Sequence, residues 1–225
     1  MKKYAVITAG GSGLRMGSHL PKQFMGINGK QVLWYTFKTF LTAYPDMNFI
    51  LVLPENYLNE GESLVKSLDI ANQTILVQGG NTRFHSVQNG LAKITTSSIV
   101  FVHDGVRCLV SPALIKNCYE QAIELGSAIP AVASADSVRI EEHGQNKPIN
   151  RNMVRIVQTP QTFKSELILP AFQQAYQEIF TDEATVVESF GHPVFLIEGE
   201  YQNIKITRPV DLLLAETILK ERELL

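Results

Sequence analysis

Short apolar runs alternate along this chain with longer stretches in which apolar positions recur every three or four residues. The runs Tyr4–Thr8, Phe49–Leu53, Thr74–Val77, Ile99–His103, Ala128–Val132, Val194–Glu198 and Ile204–Ile206 predict strands. The stretches Val32–Ala43, Leu58–Leu68, Arg83–Lys93, Pro112–Leu125, Ser165–Gln177 and Pro209–Glu221 carry helical spacing. Pro112 and Pro209 stand at a first helical turn, where a missing N–H is best tolerated. Strand and helix in alternation are the pattern of βαβ units, so the expected fold is α/β: a single-domain, Rossmann-like, mostly parallel sheet flanked by helices.

The rhythm breaks between Ser137 and Arg155. An alternating segment there is followed by a polar turn around Gly144 and a second extended segment, which predicts a protruding β-hairpin arm over 137–155. A polar two-stranded ribbon is marginal alone. It is expected to pack on something, and a second subunit is a candidate. Nothing else divides residues 1–225: repeats, low-complexity tracts and clear linkers are absent from the sequence.

Composition narrows the class. With 225 residues, 45% of them hydrophobic, and a formal charge of −2, the chain suits one globular domain with a sizeable core. A nucleic-acid partner would call for a strong basic excess, which is absent. No run approaches the roughly 18 apolar residues of a membrane span. The apolar stretch after Lys2-Lys3 is broken by Thr8 and glycines, unlike a signal peptide. Cys108 and Cys118, with no second pair, fit neither a disulfide framework nor a zinc site, and reduced thiols in a cytoplasmic protein are expected.

The first strand runs into Ala9-Gly10-Gly11-Ser12-Gly13-Leu14-Arg15-Met16, followed by Pro21-Lys22-Gln23. Glycines there let backbone N–H groups approach an anion, and Arg15 and Lys22 add a forked guanidinium and a mobile ammonium for a polyphosphate. Read alone, the cluster is equally a tight strand-to-helix turn. Its spacing matches neither a P-loop nor the G-x-G-x-x-G dinucleotide fingerprint.

In parallel α/β sheets ligands bind beyond the carboxyl ends of the strands. Gly79-Gly80-Asn81-Thr82-Arg83 follows the third predicted strand, His103-Asp104-Gly105-Val106-Arg107 ends the fourth, and Lys205 lies in the last. A hard carboxylate at Asp104 beside phosphates suits Mg²⁺, with a cap as the plainer reading. His103 reads as a packed or hydrogen-bonded histidine. Arg107 could reach a second substrate's phosphate or pair with Asp104. Lys205, between two isoleucines, is either a site cation or an edge-strand lysine.

Taken together, A-G-G-S-G-L-R-M with P-K-Q, G-G-N-T-R-F-H-S-V, V-H-D-G-V-R, Q-T-P-Q-T-F, T-D-E-A-T and N-I-K-I-T-R-P-V-D-L occur in an order and spacing that resemble the 2-C-methyl-D-erythritol 4-phosphate cytidylyltransferases, from Tyr4 to Leu219. The resemblance implies a nucleotidyltransferase fold of the GT-A-like type. It implies transfer of the cytidylyl group of CTP to methylerythritol 4-phosphate, with release of pyrophosphate, in the non-mevalonate route to isoprenoids. By position, Arg15 and Lys22 match the family's transition-state stabilisers, and Arg151 and Lys205 match the residues that position the sugar-alcohol phosphate. Arg151 would reach across from the partner's hairpin in a homodimer. Asp104 matches the magnesium- and substrate-contacting aspartate, and Arg107, Thr159 and Thr181 match further acceptor contacts. Ala9, Gly10, Gly80, Asn81 and Ser86 match the cytidine contacts, with Gly11, Gly13 and Gly105 in the same nucleotide-binding segments. Asn81 and Asn150 stand where aspartate is common in the family, and Gly105, Val106 and Cys108 replace its usual alanines and proline.

Ribitol-5-phosphate cytidylyltransferase shares the glycine loop, both cations and T-P-Q, and remains the alternative within the class. A sugar-1-phosphate nucleotidyltransferase accounts for the opening loop but not for the later motifs. A non-catalytic nucleotide-binding module is the alternative from another class, and the set Arg15, Lys22, Asp104 and Lys205 weighs against it.

Overall fold

The computed structural model describes residues 1–10 and 20–224, with side chains to Arg222. β1 (Lys2–Thr8) leads to a small hairpin of β2 (Gly26–Ile27) and β3 (Lys30–Gln31). Then follow α1 (Val32–Ala43), β4 (Asn48–Leu53), α2 (Leu58–Ser67), β5 (Thr74–Gln78), α3 (Arg83–Leu91), β6 (Ser98–Asp104), α4 (Pro112–Leu125) and β7 (Ser127–Ala133). The second half contains β8 (Val138–Glu142), β9 (Gln145–Ile149), β10 (Arg155–Val157), β11 (Gln161–Lys164), α5 (Ser165–Ala171), α6 (Glu183–Ser189), β12 (Leu196–Glu198) and α7 (Pro209–Leu224).

The main sheet has the order β10-β7-β11-β6-β1-β4-β5, with β12 also on β7. β5, β4, β1 and β6 run parallel to one another, whereas β11 is antiparallel to both β6 and β7. The chain steps from β1 to β4 and β5 on one side and returns to β6 on the other. That reversal opens a crevice beyond the carboxyl ends of β1, β4 and β6.

Both faces of these strands are covered, which is why they read as continuous apolar runs. Ile7, Phe49, Leu51 and Phe101 face a core that includes Phe37 and Phe40 of α1 and Ile115 of α4. The alternate residues Val6, Ile50, Val52, Val100 and Val102 face Phe84 and Val87 of α3, Ile168 of α5 and Val187 of α6.

Two expectations are corrected. Ile204–Ile206 is irregular rather than a strand: Ile206 donates its N–H to the Val106 carbonyl at 3.1 Å, and its side chain is buried beside Ala215 and Ile218 of α7. The helix expected over Ser165–Gln177 ends at Ala171, because Pro170 removes an i→i−4 donor and crowds the preceding turn. Past it, Phe172 stacks on Phe84 with centroids 4.9 Å apart. The hairpin stands as expected, with β8 and β9 forming their own sheet, Val138 opposite Ile149 and Glu142 opposite Gln145. Its turn residues His143 (φ 51°) and Gly144 (φ 77°) both have positive φ, the requirement of a type I′ turn.

Candidate active site

A cavity of about 540 Å³ opens at the crevice. Just past β1 comes Ala9, whose N–H bonds the Val52 carbonyl at 2.9 Å and whose own carbonyl accepts from Gln23 Nε2 at 2.6 Å. Gln23 is fully buried in the short turn Lys22–Phe24, which sets Lys22 on the cavity wall.

After β5, a loop of Gly79 to Thr82 forms the opposite wall. Gly79 N–H is tied to the Leu53 carbonyl at 2.8 Å, and Gly80 N–H to Ser86 Oγ at 3.1 Å. Ser86 Oγ also donates to the Thr82 carbonyl at 2.9 Å, while the Thr82 hydroxyl caps α3 at His85 N. A Cβ on Gly80 would stand 2.5 Å from His85 Cβ, so this wall is glycine by steric necessity.

β6 ends in Asp104, the one carboxylate among the described lining residues. Lys205 Nζ lies 2.8 Å from its Oδ2, Arg107 Nε 3.7 Å from the same oxygen, and Arg83 Nη2 3.3 Å from Oδ1. Burial works against the charge, but Arg83 and Lys205 outweigh it and hold this carboxyl well below the usual carboxylate range. Arg83 is gripped from behind by the fully buried Glu183, with Nη1 on Oε1 and Nη2 on Oε2 at 3.1 Å. Burial raises the Glu183 carboxyl against the pull of Arg83, and the forked contact to both oxygens is that of an ionised carboxylate.

Below Asp104, His103 and Thr159 form a locked pair. Asp104 N–H donates to Thr159 Oγ1 at 3.1 Å, and His103 Nε2 faces the Arg107 carbonyl at 3.2 Å. The ring nitrogen opposite a carbonyl must carry the proton, so His103 Nδ1 accepts from the Thr159 hydroxyl at 3.0 Å. Burial pushes the imidazole down to about 3, leaving it neutral, and the ring is packed and hydrogen-bonded as expected.

The cavity thus brings together Ala9, Gly10, Lys22, Gly80, Asn81, Ser86, Asp104 and Lys205. Gly11, Gly13 and Arg15 lie outside the described residues. Gly105 packs under the wall instead of lining it: a Cβ there would be 2.9 Å from Leu33 Cδ1 and 3.1 Å from Ala9 Cβ. Arg107 is turned inward, donating to the Asn203 carbonyl at 2.7 Å, and the Thr159 hydroxyl serves Asp104 and His103. Thr181 is exposed in the turn before α6. Arg151 is exposed at the base of the arm, donating to the Ala135 carbonyl at 3.1 Å, and does not line the cavity of its own chain.

Arg83 and Glu183 were not among the expected site residues. Each lies in a quoted motif, but they are 100 positions apart and no local pattern pairs them. Among the described residues no group of three or more His, Cys, Asp or Glu gathers to hold a metal. Cys108 and Cys118 are unpaired and buried, and burial pushes both thiols up to about 12.

A glycine-walled crevice at the sheet's carboxyl edge, with cations outnumbering carboxylates, suits two phosphate-bearing substrates brought face to face, and the class it defines is a nucleotidyltransferase. The chain belongs to the 2-C-methyl-D-erythritol 4-phosphate cytidylyltransferase (IspD) family, whose model matches residues 4–221. It is 42% identical over 219 residues to the enzyme of that name from Phocaeicola vulgatus, covering 97% of this chain and 100% of the relative. The Porphyromonas gingivalis enzyme is 43% identical, with 97% and 98% covered. The crystal structure of 4-diphosphocytidyl-2C-methyl-D-erythritol synthase from Anaerococcus prevotii superposes with a TM-score of 0.83 at 28% identity, covering 97% of this chain and 98% of that one.

Proposed function

We propose that this chain transfers the cytidylyl group of CTP to 2-C-methyl-D-erythritol 4-phosphate, giving 4-CDP-2-C-methyl-D-erythritol and pyrophosphate in non-mevalonate isoprenoid synthesis. The observation that carries the reading is the Asp104 cluster facing the glycine wall, in a chain that matches the family over residues 4–221.

A phosphate monoester carries about −1.5 to −2 charges at neutral pH, so the acceptor needs no general base. One of its oxygens attacks the α-phosphorus of CTP, the new P–O bond forms as the α–β bridging bond breaks, and the electron pair leaves on pyrophosphate. The obstacle is repulsion between two polyanions. Alignment and fixed cations therefore do the catalytic work. On this reading Arg15 and Lys22 neutralise charge developing at the α-phosphate, and Lys205 holds the acceptor's phosphate. Ala9, Gly10, Gly80, Asn81 and Ser86 receive the cytidine.

Asp104 fits a Mg²⁺ carried mainly by the triphosphate, because that ion takes only one or two protein carboxylates and fills the rest of its shell with phosphate and water. Such an ion would supply further charge neutralisation at the phosphates.

The arm over 137–155 is the dimerisation element of this reading, and Arg151 completes the partner's site. Its support is that Arg151 is exposed and outside the cavity of its own chain. The compartment on this reading is the cytoplasm, in keeping with two unpaired, buried cysteines. Among the described residues no helix is long and apolar enough to cross a membrane.

The test is pyrophosphate release by the purified protein, offered methylerythritol 4-phosphate or ribitol 5-phosphate with each of the four nucleoside triphosphates. The expected result is turnover with CTP and methylerythritol 4-phosphate. Preference for ribitol 5-phosphate, or CTP binding with no pyrophosphate from either acceptor, would overturn it.

A further inference from the structure

We propose that Arg83 is a further binding residue for the phosphate of the acceptor, and that the buried Glu183 is the positioning residue that aims it. This rests on the cytidylyl-transfer reading above. Arg83 lies on the cavity wall with its side chain 30% exposed, whereas Glu183 behind it is completely buried. The guanidinium is therefore clamped at its inner edge and open to the cavity beside it.

Burying a carboxylate is unfavourable unless it is well paired, and a buried ion pair seldom stabilises more than apolar residues of the same volume. Nor does α6 require Glu183 as a cap: Asp182 already accepts from Thr185 N at 2.9 Å. Gln161 in turn holds Asp182 Oδ2 at 2.8 Å and receives Ala184 N–H at 2.8 Å. What Glu183 adds is a fixed orientation for the Arg83 fork, with each carboxylate oxygen taking one nitrogen.

The outer contact of that fork is looser. Arg83 Nη2 reaches Asp104 Oδ1 at 3.3 Å, while Lys205 Nζ holds Oδ2 at 2.8 Å. The Asp104 carboxylate thus sits among cations as a phosphate would, with Arg83 at one oxygen and Lys205, backed by Arg107 at 3.7 Å, at the other. Three cations, Arg83, Arg107 and Lys205, gather on the single carboxylate of Asp104 at the cavity, while Glu183 lies buried behind Arg83, and that local positive charge favours an anion there. Triphosphate and acceptor phosphate share this chemistry. The acceptor is favoured because Arg83 shares Asp104 with Lys205, the residue that holds the acceptor's phosphate.

Three variants test it: Glu183→Gln, Arg83→Lys, and the double variant Arg83→Met/Glu183→Leu, which replaces the pair by apolar groups. Steady-state KM values for both substrates, and calorimetric binding of methylerythritol 4-phosphate, are compared with the wild type. Loss of an aimed charged hydrogen bond should raise the KM and Kd of the acceptor about tenfold or more, leaving the KM of CTP within about twofold. Arg83→Lys, which keeps the charge without the fork, should fall between wild type and Glu183→Gln. The double variant should fold and still bind the acceptor weakly. Restored acceptor binding in the double variant would mean that the pair serves packing alone, and an equal rise in both KM values would remove the assignment to the acceptor. If instead the wild type itself gives no pyrophosphate with this acceptor, the cytidylyl-transfer reading fails.

Discussion

Asp104→Asn keeps the shape of the side chain and deletes its charge, and the structure sets the scale of the consequence. The carboxylate compensates Lys205 at 2.8 Å, Arg83 at 3.3 Å and Arg107 at 3.7 Å. Removing one member of a fully buried pair costs about 3–5 kcal/mol. Here Lys205 is 41% exposed and Arg83 30%, so both regain water on release, and Arg83 keeps Glu183. Arg107, at 12% exposure, stays inside with the Asn203 carbonyl as its partner. The discounted loss is about 2–3 kcal/mol, or a Tm lowered by about 5–10 °C in a domain of this size. The sign with pH follows from the depressed carboxyl: its contribution is complete above an unfolded value of about 3.9 and fades as pH falls through the lower folded value. Thermal unfolding of both proteins without ligand, from about pH 8 down to about pH 4, should therefore show a constant gap that narrows only at still lower pH. A variant as stable as the wild type, or a gap that closes between about pH 7 and pH 5, would refute the reasoning.

Lys22→Ala and Arg15→Ala should each lower kcat by about 10²-fold or more, and turnover at the wild-type rate would remove either residue from the mechanism. Arg151→Ala should raise the KM of the acceptor more than that of CTP; equal changes, with dimers lost in sedimentation, would mean that the arm only holds subunits together. In Gly80→Ala the new Cβ meets His85 Cβ at 2.5 Å and the His85 carbonyl carbon at 3.1 Å, so the loop must shift. The expected result is weaker CTP binding and a loss of about 1–3 kcal/mol in denaturant unfolding, and wild-type values for both would show that the wall tolerates a side chain. Cys108 and Cys118, both buried with thiols pushed up to about 12, should resist thiol reagents in the native protein at about pH 8. Rapid native labelling of either would contradict their burial.

What was readable in the fold is what local periodicity encodes. α1 and α4 have the expected bounds, and α4 carries its own punctuation: Ser111 at the N-cap, Pro112 in the first turn and Gly126 at φ 94° after the end. β11, by contrast, is Gln-Thr-Phe-Lys, an unremarkable tetrapeptide that becomes a strand because β6 and β7 flank it. Isoleucines on either side of Lys205 imitate strand alternation, yet Ile206 is buried against α7 and Lys205 turns to Asp104 with no partner strand among the described residues. Alternation reports which side chains are buried; a strand additionally needs a neighbour with open hydrogen bonds.

The site divides along the same line. Asp104 was legible because the end of an apolar strand is a local feature, and the rule that ligands collect at that edge is general. Of its counter-ions, Arg107 and Lys205 were candidates in the sequence, whereas Arg83 and the Glu183 that holds it were not, since the first comes from the start of α3 and the second from the start of α6. This is also why the overall charge of −2 says little about the substrate. At Asp104 itself the local balance is positive, with three cations on one carboxylate, while Glu183 is buried behind the cavity wall. An anion entering the crevice meets charge already assembled and held in place, so little reorganisation remains when the phosphates approach. The same internal pairing, Asp104 with Lys205, Arg83 and Arg107, and Arg83 with Glu183, keeps the cluster assembled without substrate.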